Sequence, residues 1–501
     1  DVAPGMYVGN FTLRAIPGSS STDTVTFRAK SGKASDVNIY YAATGTADNY
    51  LIELIGTNHL RLWNLTLTAN NQASSNYGQI IDFIGAIGDV GIKHCNLIGS
   101  PHNTNTSNLS ILYGSQSDIA GLTLESDSLK NGSYGLYLLG LSNDFSTWLT
   151  VKDSYINSYY YGIYTQYQDT PQFMNNQIMS TGSYPMYLNS ISGTFMVTGN
   201  KLTAASYGLY MNNAVGGKPP IGTHALVANN FISTYGSNAN RALTLSSCSN
   251  IDFYYNSLLV GGSQNTSATV YVTGSGSENQ FVDNIFANKS GGYTYDANVP
   301  SLISMSDYND LYSTGTNIAR WSGTQMATLA DLQTASSMDA HSIAANPGFV
   351  SNTDLHATAA ALDSVGTPLA RVTTDIDGQQ RDPNKPDIGA DEFIAGATPI
   401  EDPPGSVQAG SELPKQFVLF QNYPNPFNPS TQIRYGIPKA SDVKIDVYNT
   451  LGQKVMTLVE GRQSAGYHIV TWNAKWAASG VYFYRIQAGS YVKIMKMLYI
   501  K

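Results

Sequence analysis

Along most of this chain the apolar residues come in short runs with a period of two, interrupted every few positions by Gly, Asn or Ser, as in YGLYLL, YGIYTQY and YGLYMN. Alternation on that scale predicts short strands with one face buried, since successive side chains of a strand point to opposite sides. The runs also recur. Tyr134-Gly-Leu-Tyr137, Tyr161-Gly-Ile-Tyr164, Tyr184-Pro-Met-Tyr187 and Tyr207-Gly-Leu-Tyr210 follow one another at steps of 27, 23 and 23 residues. Between them lies a second repeated element, a small polar residue with an aliphatic or Phe two places later. It appears as Asn96/Ile98, Asp127/Leu129, Ser154/Ile156, Asn176/Ile178, Asn200/Leu202, Asn230/Ile232, Asn256/Leu258 and Asn284/Phe286, at steps of 22 to 31 residues.

A repeat of that length built from short strands predicts a solenoid. One coil cannot bury its apolar face, but stacked coils bury one another's. The expected fold is all-β, a right-handed parallel β-helix with the aliphatic members of each pair forming a continuous internal ladder. Asn at the coil bend tolerates left-handed backbone and hydrogen-bonds its copies above and below. Eight copies at a strand spacing of ~4.8 Å give a rod of roughly 40 Å, longer if residues 1–90 add coils. The dense Leu framework of leucine-rich repeats is missing, and the long, evenly spaced blades of a propeller are missing too.

The opening residues, with PGMYVGNFTLRAIPGSSSTDTVTFRAKSG and YLIELIGTNHLRLWNLTLTAN, resemble the first coils of β-helix surface proteins of Bacteroidetes-type bacteria. The resemblance continues over 307–393, through SDYNDLYSTGTNIARW, NPGFVSNTDLHATAAALDSVGTP and TDIDGQQRDPNKPDIGADEF. It implies a β-helix over 1–393 closed by a cap at about 307–393, where 320–341 holds a short helix that covers an otherwise open sheet edge. Residues 394–412, rich in Pro, Gly, Ala and Ser, read as a linker. From Leu413 the composition changes to longer alternating runs, with turns at Leu451-Gly452, Glu460-Gly461, Ser479-Gly480 and Ala488-Gly489. These predict a small immunoglobulin-like antiparallel β-sandwich over 413–501. Pro424, Pro426 and Pro429 make a rigid lead-in that cannot pair as a central strand.

Several motifs of this module agree in order: QNYPNPFNPS at 421–430, VYNTLGQKV at 447–455, Trp472, GVYFY at 480–484 and a basic end. They resemble the type A C-terminal sorting domain of the type IX secretion system. The matching positions include Asn422, Pro424, Asn425, Pro426, Phe427, Asn428, Pro429, Gly452, Gly480 and Tyr482. The resemblance implies the secretion machinery as partner, and a place on the outer surface of a Gram-negative cell or outside it.

Composition narrows the function. Charged residues are 12% of the chain, about half the usual share, and the net charge is −8 without a basic run, so nucleic acid is not an expected partner. No apolar stretch reaches the ~18 residues a membrane-spanning helix needs. The chain starts at Asp1 without an apolar leader, as expected of an exported product whose signal has been removed. Cys95 and Cys248, the two cysteines, read as buried thiols, with a single long-range bridge as the alternative.

Candidate chemistry is sparse. Polysaccharide hydrolases on β-helices carry adjacent Asp pairs and His-Gly, neither of which occurs here. Arg241 with Asp252 is the nearest approach to a lyase base and acid. His341 and His356 read as isolated turn residues. Asp375 and Asp377, with Asp387, Asp391 and Glu392 nearby, form the densest acidic cluster and are the candidate Ca²⁺ ligands, although the spacing is not that of an EF-hand. No other cofactor is expected. Tyr155, Tyr159, Tyr160, Tyr164 and Tyr167 stand out among 34 tyrosines as candidates for holding sugar faces or a protein surface. Thr24, Ser128 and Ser364 lie in Asp-Ser/Thr-aliphatic triplets resembling the bacterial O-glycosylation acceptors of this phylum. The functional expectation is an extracellular structural or adhesive protein that binds glycans or copies of itself in a filament or surface layer. A polysaccharide lyase or hydrolase on the same scaffold is the alternative.

Overall fold

The computed structural model describes residues 1–69, 76–217, 223–394, 417–420, 422, 430–463, 466–475, 477–489 and 491–499. The chain divides into two compact units, Asp1–Pro399 and Ile400–Lys501. The expected linker beyond Ile394 and the motif residues Pro424 to Pro429 lie outside the described residues.

The first unit is a β-solenoid. Three parallel sheets run its length, one of 12 strands from Gly5–Val8 to Asp310–Ser313, one of 15 beginning at Phe11–Arg14, and one of 12 from Val25–Arg28 to Ile303–Asp307. Each coil contributes a strand to each sheet, so side chains at one position of the coil stack in register. In the first sheet the inward ladder reads Ile39, Leu67, Leu97, Leu129, Ile156, Ile178, Leu202, Ile232, Leu258, Phe286 and Leu311.

That ladder corrects one repeat boundary. Asn96 pairs with Ser128 and Ile98 with Lys130, so in that coil the repeated pair is Cys95/Leu97, one residue earlier. A one-residue slip moves every side chain to the other face of a strand, and Asn96/Ile98 therefore points away from the interior. Asn309/Leu311 adds a copy that the sequence pattern did not single out.

The polar member of the pair is the structural key. Asn176, Asn200, Asn230, Asn256, Asn284 and Asn309 are all at most 2% exposed. Each of the first five donates its side-chain amide to the Oδ1 of the next, at 2.9–3.0 Å. Each also donates its backbone N–H to that same Oδ1. The second amide hydrogen closes on a strand carbonyl of the preceding coil, as in Asn256 Nδ2 to Val227 O at 2.8 Å. Toward the N-terminus the column continues through Ser154 and Asp127, whose Oδ1 accepts the N–H of Cys95 at 2.7 Å. The left-handed residue is not the ladder Asn but its predecessor: Asn175, Asn229, Tyr255, Asp283 and Tyr308 have φ of 52° to 58°. The bend thus turns at one residue and is tied down by the next.

Closure also differs from a simple lid. The last coil is covered by a hairpin, Ala319–Trp321 with Thr324–Met326, and by the helix Leu329–Ser336, whose N-terminus carries a Thr328/Asp331 capping box. The following segment then folds back along the flank. Phe349, Leu355, Leu362 and Ile388 pack on Phe231, Leu259 and Ile285, and Val372 packs on Tyr254 and Tyr255. The strands Phe231–Thr234, Ser257–Val260 and Ile285–Asn288 are consequently buried along their whole length, on both faces.

Both cysteines are free and buried. Burial pushes each thiol up to about 12, and Cys95 Sγ donates to Leu62 O at 3.2 Å.

The second unit holds a three-stranded and a four-stranded antiparallel sheet sharing one apolar cluster that includes Ile433, Val447, Trp472 and Tyr484. Glu460-Gly461 is not a turn: Gly461 pairs with Val443 inside the strand Lys454–Gln463.

Replacing Asn256 by Ala removes the acceptor of two buried donors on Asn230. It is expected to destabilise the solenoid by about 2–4 kcal/mol in urea unfolding, whereas an exposed Asn such as Asn384 is expected to tolerate the change.

Candidate functional site

Of the five tyrosines singled out from the sequence, the structure brings two, Tyr160 and Tyr164, into one surface and places the others apart. Tyr155 is buried at 7% exposure on the first sheet, under Lys130. Tyr159 lies half-buried at the neighbouring turn, and Tyr167 sits further along the second-sheet strand against Phe145.

The surface itself is larger than those five. The second-sheet strands Tyr134–Leu139, Tyr161–Asp169, Tyr184–Gly193 and Tyr207–Asn212 lie in consecutive coils. Tyr113, Tyr137, Tyr164, Tyr187 and Tyr210 form one column, with centroids 4.8–5.5 Å apart and planes within 16°. Tyr134, Tyr161, Tyr184 and Tyr207 form a second, at 4.8–5.0 Å. Edge-to-face contacts such as Tyr161–Tyr164 at 5.0 Å join the two. Strict alternation would put the two tyrosines of each motif on opposite faces. They share one because both residues between them, such as Gly162 and Ile163, are buried toward the interior. In the coil of Tyr161 the first of the two must be Gly162, since a Cβ there would sit 2.2 Å from Ile178 Cγ2 and 2.4 Å from Pro185 O.

The stacking decides what the surface offers. Each ring face is covered by the ring above or below, so the columns present ring edges and phenol tips instead of open faces. The phenols are neutral: burial raises Tyr137, Tyr164 and Tyr210 above their ordinary value and Tyr187 to about 12. Beside them, Gln166, Asn189 and Asn212 stand in register, with Asn212 Nδ2 donating to Asn189 Oδ1 at 2.9 Å. The four strands contain no Lys or Arg and a single acid, Asp169, whose carboxylate accepts from Ser192 at 2.6 Å. Charge returns at the margins, with Asp82 beside Tyr113 and Arg241 beside Tyr207.

Arg241 and Asp252 are not a pair. They stand on different sheets. Arg241 lies over the Tyr271 ring at 3.5 Å, while Asp252 is buried against His224, at 2.8 Å, and Arg371. A recess of about 280 Å³ beneath the terminal helix is lined by Leu311, Tyr312, Ile318, Leu329 and small residues, without a carboxylate or a base.

The acid cluster of the fold-back segment is buried. Asp375 has both oxygens engaged, by the N–H groups of Asp377, Gln379 and Glu392. Asp377 instead faces His356, whose Nε2 lies 2.8 Å from Asp377 Oδ2 and whose Nδ1 contacts Asp354. His356 is therefore not an isolated turn residue. It is 1% exposed and packs edge-on against Phe231 at 4.9 Å. Burial opposes its charge, but the hydrogen bonds to Asp354 and Asp377 outweigh it and raise the imidazole to about 10. Burial lifts Asp375 to about 6 and Asp391 to about 7. Period-two patterning says nothing about segments without strands, and this cluster was legible only as a local density of acids. His341, by contrast, is exposed, stacked on Tyr308 and bonded to Asp307 at 2.8 Å.

Of the three glycosylation candidates, Thr24 and Ser364 are exposed. Ser128 is half-buried, and its neighbour Asp127 is a member of the internal ladder.

In the second unit, Asn422 is buried and donates to Thr431 Oγ1 at 2.9 Å, and Gly452 takes φ 74° in the turn that Asn449 caps. Gly480 opens a strand in which the Tyr482 hydroxyl donates to Ala478 O at 2.7 Å and the ring meets Trp472 at 5.1 Å. Residues 421–501 match the secretion system C-terminal sorting domain family. The chain carries a type IX sorting domain at its C-terminal end. The sorting domain implies interaction with the type IX secretion machinery and delivery of the β-solenoid to the cell surface or outside the cell. No curated protein matches the chain. Among solved structures, it is similar to a crystal structure of a point mutant of the periplasmic alginate epimerase AlgG. The TM-score is 0.41 at 13% identity, over 64% of this chain and 76% of that one.

Deleting residues 421–501 is expected to leave the solenoid in the periplasm, read by fractionation of expressing cells. Asp310 offers a pH test of buried acids. Burial raises it to about 8, with Ala345 N–H on one oxygen and no partner on the other. Because the folded value exceeds the unfolded one, its stabilisation is complete near pH 4 and is lost as pH rises toward 8. Asp310→Asn is therefore expected to gain roughly 2 kcal/mol over the parent at pH 8 and little at pH 4, in denaturant titrations at both pH values.

Proposed function

We propose that this is a secreted adhesive protein whose solenoid, residues 1–393, binds uncharged polysaccharide along its double tyrosine column, with residues 413–501 serving as the export address. The observation that carries the reading is a preorganised strip of phenol tips and ring edges repeated every ~5 Å over five coils, bordered by amide side chains and lacking cations. Hydroxyl-rich, uncharged chains match such a strip, because phenols and amides both donate and accept hydrogen bonds. A rigid row of half-buried rings also loses little side-chain entropy on binding.

Charge argues against acidic glycans. A polyuronate needs cations to balance its carboxylates, and the tyrosine strands supply none. The two columns point along the rod, so an extended chain lying parallel to the coil stack would meet equivalent contacts at each coil. Adhesion is preferred to filament growth by coil stacking, because the hairpin and helix at 319–336 stand on the end of the second sheet and obstruct a further coil there.

Affinity electrophoresis against neutral and acidic polysaccharides tests the proposal. Retardation is expected only in neutral gels. The double change Tyr164→Phe and Tyr187→Phe keeps the stacks and removes two hydroxyls, and it is expected to weaken binding about 10-fold or more. Preference for acidic polysaccharide, or release of unsaturated or reducing products, would instead favour an enzyme.

A further inference from the structure

We infer that His356, Asp377 and Asp391 form a binding site for a divalent transition-metal ion of the zinc type, which clamps the fold-back segment. One ligand atom from each of the three lies within 4.8 Å of the others, and all three residues are buried. Asp377 is 6% exposed, and its Oδ1 has no hydrogen-bond partner in the protein. A buried carboxylate oxygen left unpaired is costly, and here it belongs to the residue that already faces His356.

The charge around it is unbalanced. Asp354, Asp375, Asp377, Asp391 and Glu392 surround the cluster, against Arg381, His356 and Lys201, the last acting on Asp354 at the outer side. Arg381 is committed elsewhere: it bonds Glu392, Asn229 Oδ1 and Gly389 O and lies over Tyr255 at 3.9 Å. A dication between His356, Asp377 and Asp391 would meet the remaining negative charge where it is least compensated.

Geometry and donor type select the ion. Zinc holds His nitrogen and carboxylate oxygen at ~2.0–2.2 Å, so two ligands in a tetrahedral site lie about 3.4 Å apart. The ion would displace the proton that His356 Nε2 shares with Asp377 Oδ2, releasing it to solvent, and that 2.8 Å contact need open only slightly to admit it. Asp354 on Nδ1 is the outer carboxylate that commonly orients a metal-bound imidazole, leaving Nε2 for the ion. Calcium fits poorly, since it takes six to eight oxygens. Here Asp375 is occupied by backbone N–H groups, and Asp387 accepts from Ser364 and Phe393. The calcium reading of Asp375 and Asp377 therefore gives way to a site in which Asp377 is shared and Asp375 is outer support.

The ligands come from three stretches of the fold-back segment, and the His356 ring rests on Phe231 of the solenoid. The ion would bind those stretches to one another and, through that ring, to the coils beneath. All three ligands are buried, so its role is structural.

The test uses the full chain, stripped with chelator and dialysed against Zn²⁺ or Ca²⁺, with bound metal measured by mass spectrometry and stability by calorimetry. About one zinc per chain and a Tm raised by at least 5 °C are expected, with calcium giving neither. Asp391→Asn should weaken zinc binding at least 100-fold, and Asp354→Asn about 10- to 100-fold. No zinc retained by the parent protein, calcium bound in preference, or zinc retained equally by folded Asp391→Asn would each overturn the site. Should Asp391→Asn fail to fold, the parent's zinc stoichiometry and Tm shift decide the matter alone.

Discussion

The side-chain amide of asparagine is the group on which this solenoid depends. Each ladder Asn sits where the chain has just turned through left-handed backbone, so the N–H groups there point along the rod and have no strand partner. The Oδ1 of the next coil's Asn satisfies two of those donors at once, and its own amide passes the pattern on. Each such bond is worth about 1 kcal/mol net, and each donor left bare would cost more than that. The column therefore sets the register between coils more sharply than the aliphatic ladder alone, since apolar contact tolerates sliding and hydrogen bonds do not.

Fixed register makes the tyrosine face possible. Rings 5 Å apart and nearly parallel require that successive coils hold the same angular position, and the stacks then add their own stabilisation, roughly 0.5–1.5 kcal/mol per pair. The same feature limits the chemistry: rings that cover one another's faces leave only edges and hydroxyls to a partner. Ordered aromatic surface with charge mainly at its margins is consistent with holding an uncharged polymer, and the sorting domain at the C-terminal end of the chain is consistent with where that would happen. The fold-back segment follows a different logic. It has no strands of its own and is held by burial on Phe231, Leu259 and Ile285 and by carboxylates bonded to backbone N–H groups.

Much of this was legible in the sequence. The coil period, the Asn/aliphatic pair and the sorting-domain motifs are local patterns, and local patterns survive the absence of coordinates. What escaped was whatever depends on distance along the chain. The true position at Cys95/Leu97 was masked because Asn96 satisfied the same small-polar rule one residue later. Tyr161 and Tyr164 share a face because Gly162 and Ile163 are both buried between them, which simple alternation does not foresee. His356 looked isolated because its partner Asp377 is 21 residues away. Arg241 and Asp252 looked like neighbours because they are 11 residues apart, but in a solenoid that separation puts them on different sheets.

Hydrogen–deuterium exchange of the full chain with and without a bound neutral polysaccharide tests the central claim that the ladder holds a preformed tyrosine face. The account predicts that the second-sheet strands at 134–139, 161–169, 184–193 and 207–212 are strongly protected before ligand is added, and that added protection is confined to them and their flanking turns. Weak protection of those strands in the free protein, or ligand-induced protection centred on the fold-back segment at 344–394, would contradict it.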